Sequence, residues 1–117
     1  MQLSLVIPCY NEEGNVRTFY DAAVAAFENR PFSYELIFID DGSRDGTMRE
    51  LEALYAMDAA RVRVVSFSRN FGKESAIYAG LQAARGECAA LIDADLQQRP
   101  EVVVQMMEIL AAEPDCD

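Results

Sequence analysis

The chain has 117 residues, which is enough for one domain with a buried core and too few for two comfortable domains. Its composition, 51% hydrophobic and 26% charged, is that of a globular protein and excludes the disordered and fibrous classes. The formal net charge of −10 argues against general binding to nucleic acids or anionic membranes, because both need basic surface.

Four strand–helix units follow one another along the sequence. We predict strands at residues 3–7 (ended by Pro8), 36–39, 62–67 and 88–92. The third alternates apolar and polar residues, which places it nearer a sheet edge, and the others are short apolar runs. Each strand is followed by apolar positions at helical spacing: Val16, Phe19, Tyr20, Ala23, Val24 and Phe27; then Met48, Leu51 and Tyr55; then Ile77, Gly80, Leu81 and Ala84, stopped by Gly86; and, after Pro100, Val103, Met106, Met107 and Leu110.

This alternation predicts an α/β fold with an open, mainly parallel sheet and helices on both faces. In such sheets ligands bind outside the carboxyl ends of the strands, near the point where the strand order reverses. The polar clusters of the sequence lie at those ends, at residues 8–13, 40–47, 68–74 and 93–98. The pattern is typical of a nucleotide site.

The first cluster has two interpretations. Tyr10 can stack on a base while Glu12 or a backbone group meets the ribose or the base edge. Alternatively, the segment is a turn in which Asn11 caps the first helix and the acidic residues favour its N-terminus. The other clusters in the sequence favour the functional interpretation.

The second cluster begins with Asp40 and Asp41, directly behind an apolar run. Turn formation and capping of the second helix by Ser43, Asp45 or Thr47 explain part of this segment, but not two consecutive aspartates there. A carboxylate at this place can accept the N–H of a pyrimidine or guanine ring. We therefore assign a binding role to Asp41 and a partly structural one to Asp40.

The third cluster, residues 68–74, precedes the third helix. Helix N–H groups together with Arg69 or Lys73 can receive a phosphate there, although a solvated capping loop explains the segment equally well. Neither a Walker loop nor a GxGxxG fingerprint is present, and we assign no ligand contact.

The fourth cluster places Asp93, Asp95 and Gln97 on one side of an extended segment, where their oxygens can converge. Carboxylate and amide oxygens suit a hard divalent cation, Mg²⁺ or Mn²⁺. Such an ion would bridge diphosphate oxygens and stabilise a departing phosphate group. We predict these three residues as the metal ligands.

Cysteine, histidine and hydropathy exclude other classes of protein. The three cysteines (Cys9, Cys88, Cys116) lack CxxC spacing, so we expect reduced thiols in a cytoplasmic protein. The absence of histidine excludes Ser–His and Cys–His catalysis. No apolar stretch approaches the ~20 residues of a membrane span, and no secretory signal is visible.

Four motifs in this order resemble the inverting glycosyltransferases of family 2. They are PCYNEE at 8–13, DDGSxDGT at 40–47, RNFGK at 69–73 and DADLQ at 93–97, the last followed by a Pro-Glu helix start. The resemblance covers essentially the whole chain and is strongest to the dolichyl-phosphate mannose synthase and polyprenyl-phosphate glucosyltransferase branch. It implies the Rossmann-like nucleotide-diphospho-sugar transferase (GT-A) fold.

The resemblance also implies a set of site residues. Pro8, Tyr10, Glu12, Ile39 and Asp41 would line the nucleotide pocket, and Asp93, Ala94, Asp95 and Gln97 would meet the diphosphate and its metal. The donor would be a nucleoside-diphosphate sugar linked to UDP or GDP, and the acceptor a polyprenyl phosphate.

Members of this family are longer than 117 residues, so we expect residues 1–117 to be a truncated, N-terminal nucleotide-sugar-binding part. Acceptor-side and catalytic residues would lie beyond Asp117, as would the segments that hold the whole enzyme at the cytoplasmic face of the membrane. We expect the chain to bind donor without turnover, and its open sheet edge to permit self-association.

Two other classes of protein share features with this sequence. A non-catalytic sugar-nucleotide binding module would share every motif and differ only in lacking transfer. A phosphoacceptor receiver domain needs its acidic pair after the first strand and a lone aspartate after the third, whereas the acidic groups here follow the second and fourth strands.

Overall fold

The computed structural model of the chain describes residues 3–27, 33–86 and 88–92. Within these ranges the elements are β1 (Leu3–Cys9), α1 (Asn15–Phe27), β2 (Tyr34–Asp40), α2 (Thr47–Met57), β3 (Val62–Ser66), α3 (Lys73–Ala83) and β4 (Cys88–Leu91). The predicted helix after Pro100 lies outside the described residues. None of the described helices is long and apolar enough to span a bilayer.

The strands form one parallel sheet in the order β3-β2-β1-β4. β1 pairs with β2 over its full length, from Leu3 opposite Tyr34 to Cys9 opposite Asp40. The chain moves outward from β1 to β3 and then returns to place β4 on the other side of β1, so the strand order reverses between β1 and β4. The predicted parallel sheet is confirmed, and so is the edge position of β3 within the described sheet.

Helices cover both faces of the sheet, as predicted. α1 and α2 pack on one face, where Phe19 of α1 meets Phe38 of β2 edge to face with ring centroids 6.1 Å apart. α3 packs on the other face, where Ala76 lies against Val6 and Ile39. Alternate residues of β1 and β2 pack into the two cores, which explains why the middle of each strand is a continuous apolar run.

The prediction that Pro8 ends the first strand is wrong, because β1 continues to Cys9. Pro8 lies on the β4 side of β1, two residues beyond Val6, whose carbonyl accepts the Ile92 N–H at 3.1 Å. The described β4 ladder has ended at that point. A proline that lacks an N–H is tolerated there, since no ladder bond is lost.

Two other local predictions are corrected. Leu54, not Tyr55, joins Leu51 in the core, and the Tyr55 side chain is 51% exposed. Leu81 is likewise 51% exposed, because α3 approaches β1 through the small residues Ala76 and Gly80. Positions three and four residues after an apolar residue both fit helical spacing, so the period alone cannot choose between adjacent positions such as Leu54 and Tyr55.

Two predicted boundaries also move. α3 ends at Ala83 with an extended Ala84 after it, so Gly86 does not cap the helix. Gly86 instead donates its N–H to the Ser4 hydroxyl at 2.8 Å. Phe67 lies just beyond β3, where its N–H donates to the Asp40 carbonyl at 2.9 Å.

Candidate functional site

Three loops meet at the carboxyl ends of the strands. We call them loop A (residues 10–14, between β1 and α1), loop B (residues 41–46, between β2 and α2) and loop C (residues 67–72, between β3 and α3). Because β1, β2 and β3 are parallel neighbours, their following loops emerge side by side at one edge of the sheet. Three of the four motif clusters are therefore brought together.

Asp41 is the most buried acidic residue that follows a strand, with 4% of its surface exposed. Its N–H donates to the Cys9 carbonyl at 2.9 Å. Its carboxylate accepts the N–H of Phe71 at 2.8 Å and that of Gly72 at 3.1 Å. The side chain therefore fastens loop C to the end of β2, and a carboxylate with about four acceptor positions keeps room for a further donor.

Gly42 allows loops B and C to touch. Its φ is 70°, and a Cβ built there would lie 2.2 Å from the backbone carbon of Arg69. The Asn70 amide adds a bond to the Asp41 carbonyl at 3.3 Å. Only glycine fits this left-handed conformation and this approach of two backbones.

Asp40 is 3% exposed and accepts the N–H of Ser43 at 3.2 Å. Asp45 accepts the N–H of Thr47, the first residue of α2, at 3.0 Å, as in a helix-capping contact. The hydroxyl of Thr47 also donates to Asp45, and this bond is the main reason that the pKa of Asp45 lies below its usual range. These contacts show that Asp40, Ser43, Asp45 and Thr47 stabilise loop B and the start of α2.

The other predicted pocket residues differ in their exposure. Tyr10 is 44% exposed and Glu12 is half-buried, so both reach the surface beside loop B. Pro8 is half-buried and pairs with Ile39. The Ile39 side chain is fully buried in the core under α3. Any contribution of Ile39 to a pocket would therefore come from its backbone.

Cys9 lies at the end of β1 but is only 1% exposed. Its thiol donates to the Ile7 carbonyl at 3.4 Å, and burial, reinforced by the nearby Glu12 and Asp40 charges, raises the thiol pKa well above its ordinary value. A thiol that stays protonated is a poor nucleophile. Cys9 therefore acts as a core residue.

Loop C carries an exposed aromatic residue and a cation. Phe71 is 49% exposed, and the Arg69 guanidinium lies over its ring, 4.8 Å from the centroid. Gly72 is the N-cap of α3 and has no side chain of its own to cap the helix. The N–H of Gly72 instead donates to the Asp41 carboxylate of loop B at 3.1 Å.

The predicted diphosphate and metal residues Asp93, Ala94, Asp95 and Gln97 lie outside the described residues. Ile92, the residue before them, is buried and bonded to β1 at the point where the strand order reverses. Within residues 3–27, 33–86 and 88–92, no three His, Cys, Asp or Glu side chains converge as a metal site. The assignment of these ligands to Mg²⁺ or Mn²⁺ stays a prediction based on their oxygen chemistry.

Sequence reasoning missed a charged network at the opposite end of the sheet. Glu35 of β2 is fully buried, where it accepts the Ser4 hydroxyl at 2.6 Å and the Arg85 N–H at 2.8 Å. The Arg85 and Arg63 side chains lie 3.2 and 3.5 Å from the same carboxylate. A lone glutamate between Tyr34 and Leu36 in an apolar run was the available signal.

Comparison with known proteins places these features in a family. The chain matches the family model "Glycosyl transferase family 2" over residues 4–116. It is 43% identical over 108 residues to the bactoprenol glucosyl transferase of Shigella phage SfV, covering 92% of this chain and 35% of that protein. It is 39% identical over 106 residues to the undecaprenyl-phosphate 4-deoxy-4-formamido-L-arabinose transferase of Pseudomonas fluorescens, covering 91% and 31%.

Solved structures agree on the fold. The mannosyltransferase PcManGT from Pyrobaculum calidifontis, solved with GDP-Man and Mn²⁺, superposes with a TM-score of 0.81 at 23% identity, covering 97% of this chain and 33% of that one. The glucosyl-3-phosphoglycerate synthase of Mycobacterium tuberculosis, solved with UDP, gives 0.71 at 26% identity, covering 97% and 41%. The predicted GT-A fold is confirmed.

The chain spans about a third of the length of the curated relatives it matches. The family match nevertheless extends over almost all of its own residues, from β1 through the DADLQ motif and beyond. The resemblance drawn from four motifs is thereby confirmed, and the chain belongs to glycosyltransferase family 2.

Proposed function

We propose that this chain is the nucleotide-sugar-binding part of a glycosyltransferase that moves a sugar from a UDP- or GDP-linked donor to polyprenyl phosphate. The observation that carries the proposal is the meeting of loops A, B and C at the carboxyl edge of the sheet, with Asp41 buried between them. Relatives named for bactoprenol and undecaprenyl phosphate support the lipid acceptor.

In this proposal the nucleoside lies over loops A and B. Tyr10, which is 44% exposed, stacks on the base, and Asp41 accepts a ring N–H with its remaining acceptor capacity. Glu12 meets the ribose or base edge, and Pro8 and Ile39 shape the floor behind them. A carboxylate can pair with uracil or guanine, so both nucleotides belong in the test.

Asp93, Asp95 and Gln97 would hold Mg²⁺ or Mn²⁺, with Ala94 beside the diphosphate. The ion would supply positive charge to the departing nucleoside diphosphate. The solved PcManGT complex with GDP-Man and Mn²⁺ supports a divalent cation in this fold. An acceptor phosphate oxygen attacks the anomeric carbon as the bond to the diphosphate breaks. A phosphate is already anionic near neutral pH, so the chain needs no base of its own.

The acceptor-side residues are proposed to lie beyond Asp117, since the chain covers about a third of its relatives. The 117 residues are therefore expected to bind donor without transfer, in the cytoplasm or at the cytoplasmic membrane face. A net charge of −10 disfavours a nucleic-acid partner. Self-association through an open sheet edge stays a prediction, to be measured by sedimentation.

The test is calorimetric titration of the chain with UDP, GDP, UDP-glucose and GDP-mannose, each with and without Mn²⁺. We expect one nucleotide series to bind, with weaker binding in EDTA and after Asp95→Ala. Tyr10→Ala should weaken binding, whereas Tyr55→Ala, which removes a tyrosine of similar exposure on α2, should not. Absence of binding in both series would refute the proposal.

The competing assignment is a binding module without catalysis. A transfer assay on a longer protein that contains this chain distinguishes the two assignments. Sugar transfer to a polyprenyl phosphate supports the transferase. Donor binding with no transfer to any lipid phosphate, under conditions where a curated relative is active, would support the module.

A further inference from the structure

Loop A is held by side chains rather than by its own backbone. Its four consecutive N–H groups from residue 11 to residue 14 all donate to side chains of loop B and α2. The acceptors, in chain order of the donors, are Ser43 Oγ at 2.9 Å, Thr47 Oγ1 at 2.8 Å, Asp45 Oδ2 at 3.2 Å and both Glu50 carboxylate oxygens at 2.9 Å. A loop with four consecutive N–H groups satisfied in this way has little freedom to move.

The contact is reciprocal at two positions. Asn11 accepts the N–H of Arg44 at 2.9 Å, and Glu13 Oε1 accepts the N–H of Gly46 at 2.5 Å. A Cβ on Gly46 would lie 2.1 Å from that Glu13 oxygen, so a larger residue at position 46 would displace the Glu13 carboxylate. Asn11 adopts a φ of 53°, a left-handed conformation that asparagine tolerates better than most residues. We call this set of bonds the A–B clasp.

The A–B clasp lies between the residues proposed to bind the nucleoside. Tyr10 immediately precedes Asn11, and Asp41 begins loop B. The Glu12 side chain is oriented separately, by the Asn15 amide at 2.8 Å. Fixing loop A to loop B therefore fixes the distance between the stacking ring and the ring-pairing carboxylate. A site held in its bound geometry loses less conformational entropy when ligand binds.

We propose that Glu13 is a positioning residue of the nucleotide site, which acts through the A–B clasp and does not touch the ligand. This inference rests on the proposed function. Glu13 has one partner from loop B through its side chain and another, Asp45, through its backbone N–H. What the clasp needs from the side chain is an oxygen acceptor. A negative charge is not needed, so an amide can replace the carboxylate.

The experiment compares Glu13→Ala, Glu13→Gln and the control Glu52→Ala, an exposed acidic residue of α2, in the 117-residue chain. UDP and GDP with Mn²⁺ are the titrants, and amide hydrogen exchange of residues 11–14 is followed in parallel. We expect Glu13→Ala to weaken nucleotide binding about tenfold, as loss of a bond of ~1.4 kcal/mol would. Exchange of loop A should accelerate while β1 stays protected. Glu13→Gln should restore both.

Ser43→Ala gives a second, milder test if Glu13→Ala fails to fold, because it removes only the acceptor of the Asn11 N–H. It should weaken binding by a few fold and accelerate exchange at residue 11. Unchanged affinity in both clasp variants would overturn the inference. So would a Glu13→Gln loss as large as that of alanine, since it would indicate a direct charge contact with the ligand. If the unmodified chain binds neither nucleotide, the proposed function fails first, and this inference fails with it.

Discussion

Buried carboxylates hold neighbouring segments together at both ends of the sheet, but their bonding partners differ between the two ends. At the amino end, Glu35 ties the segment before β4 to β1 and β2, and two arginines balance its charge. At the carboxyl end, the carboxylates of Asp40 and Asp41 hold the loops through backbone N–H groups. The first carboxylate has arginine partners, whereas the described bonds to the carboxylates of Asp40 and Asp41 come from backbone N–H groups.

The difference supports the proposed place of the ligand. A buried carboxylate with arginine partners has little to gain from another cation. A carboxylate whose bonds in the described part of the chain come from backbone N–H groups keeps acceptor positions, which suit a ring N–H. This contrast favours the carboxyl edge, where the strand order also reverses.

The largest effect is expected at the amino end. Glu35→Ala should lower the free energy of unfolding by about 3 to 4 kcal/mol, because it removes a buried acceptor and leaves the Arg85 N–H and the Ser4 hydroxyl with fewer partners. The arginines are partly exposed and can regain water, which keeps the loss below that of a fully buried pair. Urea unfolding measures it. A loss under about 1 kcal/mol would contradict the structural role.

The second-largest loss of stability is expected at the carboxyl end of the sheet. Gly42→Ala should cost about 2 to 3 kcal/mol, since it adds left-handed strain to an overlap with the backbone of Arg69. Gly14→Ala is the matched control: Gly14 has a φ of 87°, but a Cβ added there would meet no atom within 4 Å, so only the strain of about 1 kcal/mol applies. Equal losses for the two variants would mean that loops B and C do not approach as described.

The fold could be predicted because its signals are local. Apolar runs such as residues 36–39 and helical periods such as Val16, Phe19 and Ala23 report burial within a few residues. Their alternation then selects a parallel sheet with covered faces. The predictions of burial failed where burial depends on how a helix packs against the sheet. Leu81 is an example, because α3 contacts the sheet through its small residues and leaves Leu81 exposed.

The structure brings together the motif segments that follow β1, β2 and β3, as their places at parallel strand ends predict. The contacts between the segments could not be predicted, because the partner of Asn11 lies 32 residues away in the chain and that of Glu35 lies 50 away. No local pattern shows such contacts. Glu13, which the sequence suggested only as an acid favourable to a helix N-terminus, accepts the Gly46 N–H and so joins loop A to loop B. The predicted metal ligands Asp95 and Gln97 lie outside the described residues and stay predictions.

Lowering the pH should reduce the stability that Glu35 contributes at the amino end of the sheet. Burial alone would raise the pKa of Glu35, but the bonds from Ser4 and Arg85 outweigh it, and the pKa lies below its ordinary value. A carboxyl with a lowered folded-state pKa contributes its stability above the unfolded value, roughly pH 4.3, and loses it as pH falls through the folded value. Unfolding free energies of the unmodified chain and of Glu35→Gln should therefore converge between about pH 5 and about pH 2. A constant difference would remove Glu35 from the acid response.

The smallest effect is expected where neither end is involved. Arg17 and Asp21 form an ion pair at 3.1 Å on α1, with side chains 58% and 59% exposed. In a double-mutant cycle with Arg17→Gln and Asp21→Asn, the coupling should not exceed about 0.5 kcal/mol, because water screens exposed pairs. Glu35 with Arg85 differs mainly in burying the carboxylate and giving it further donors from Ser4 and Arg63. If the coupling energy of the exposed pair exceeded about 1 kcal/mol, burial of the Glu35 carboxylate would no longer explain why a larger effect is expected at the amino end of the sheet.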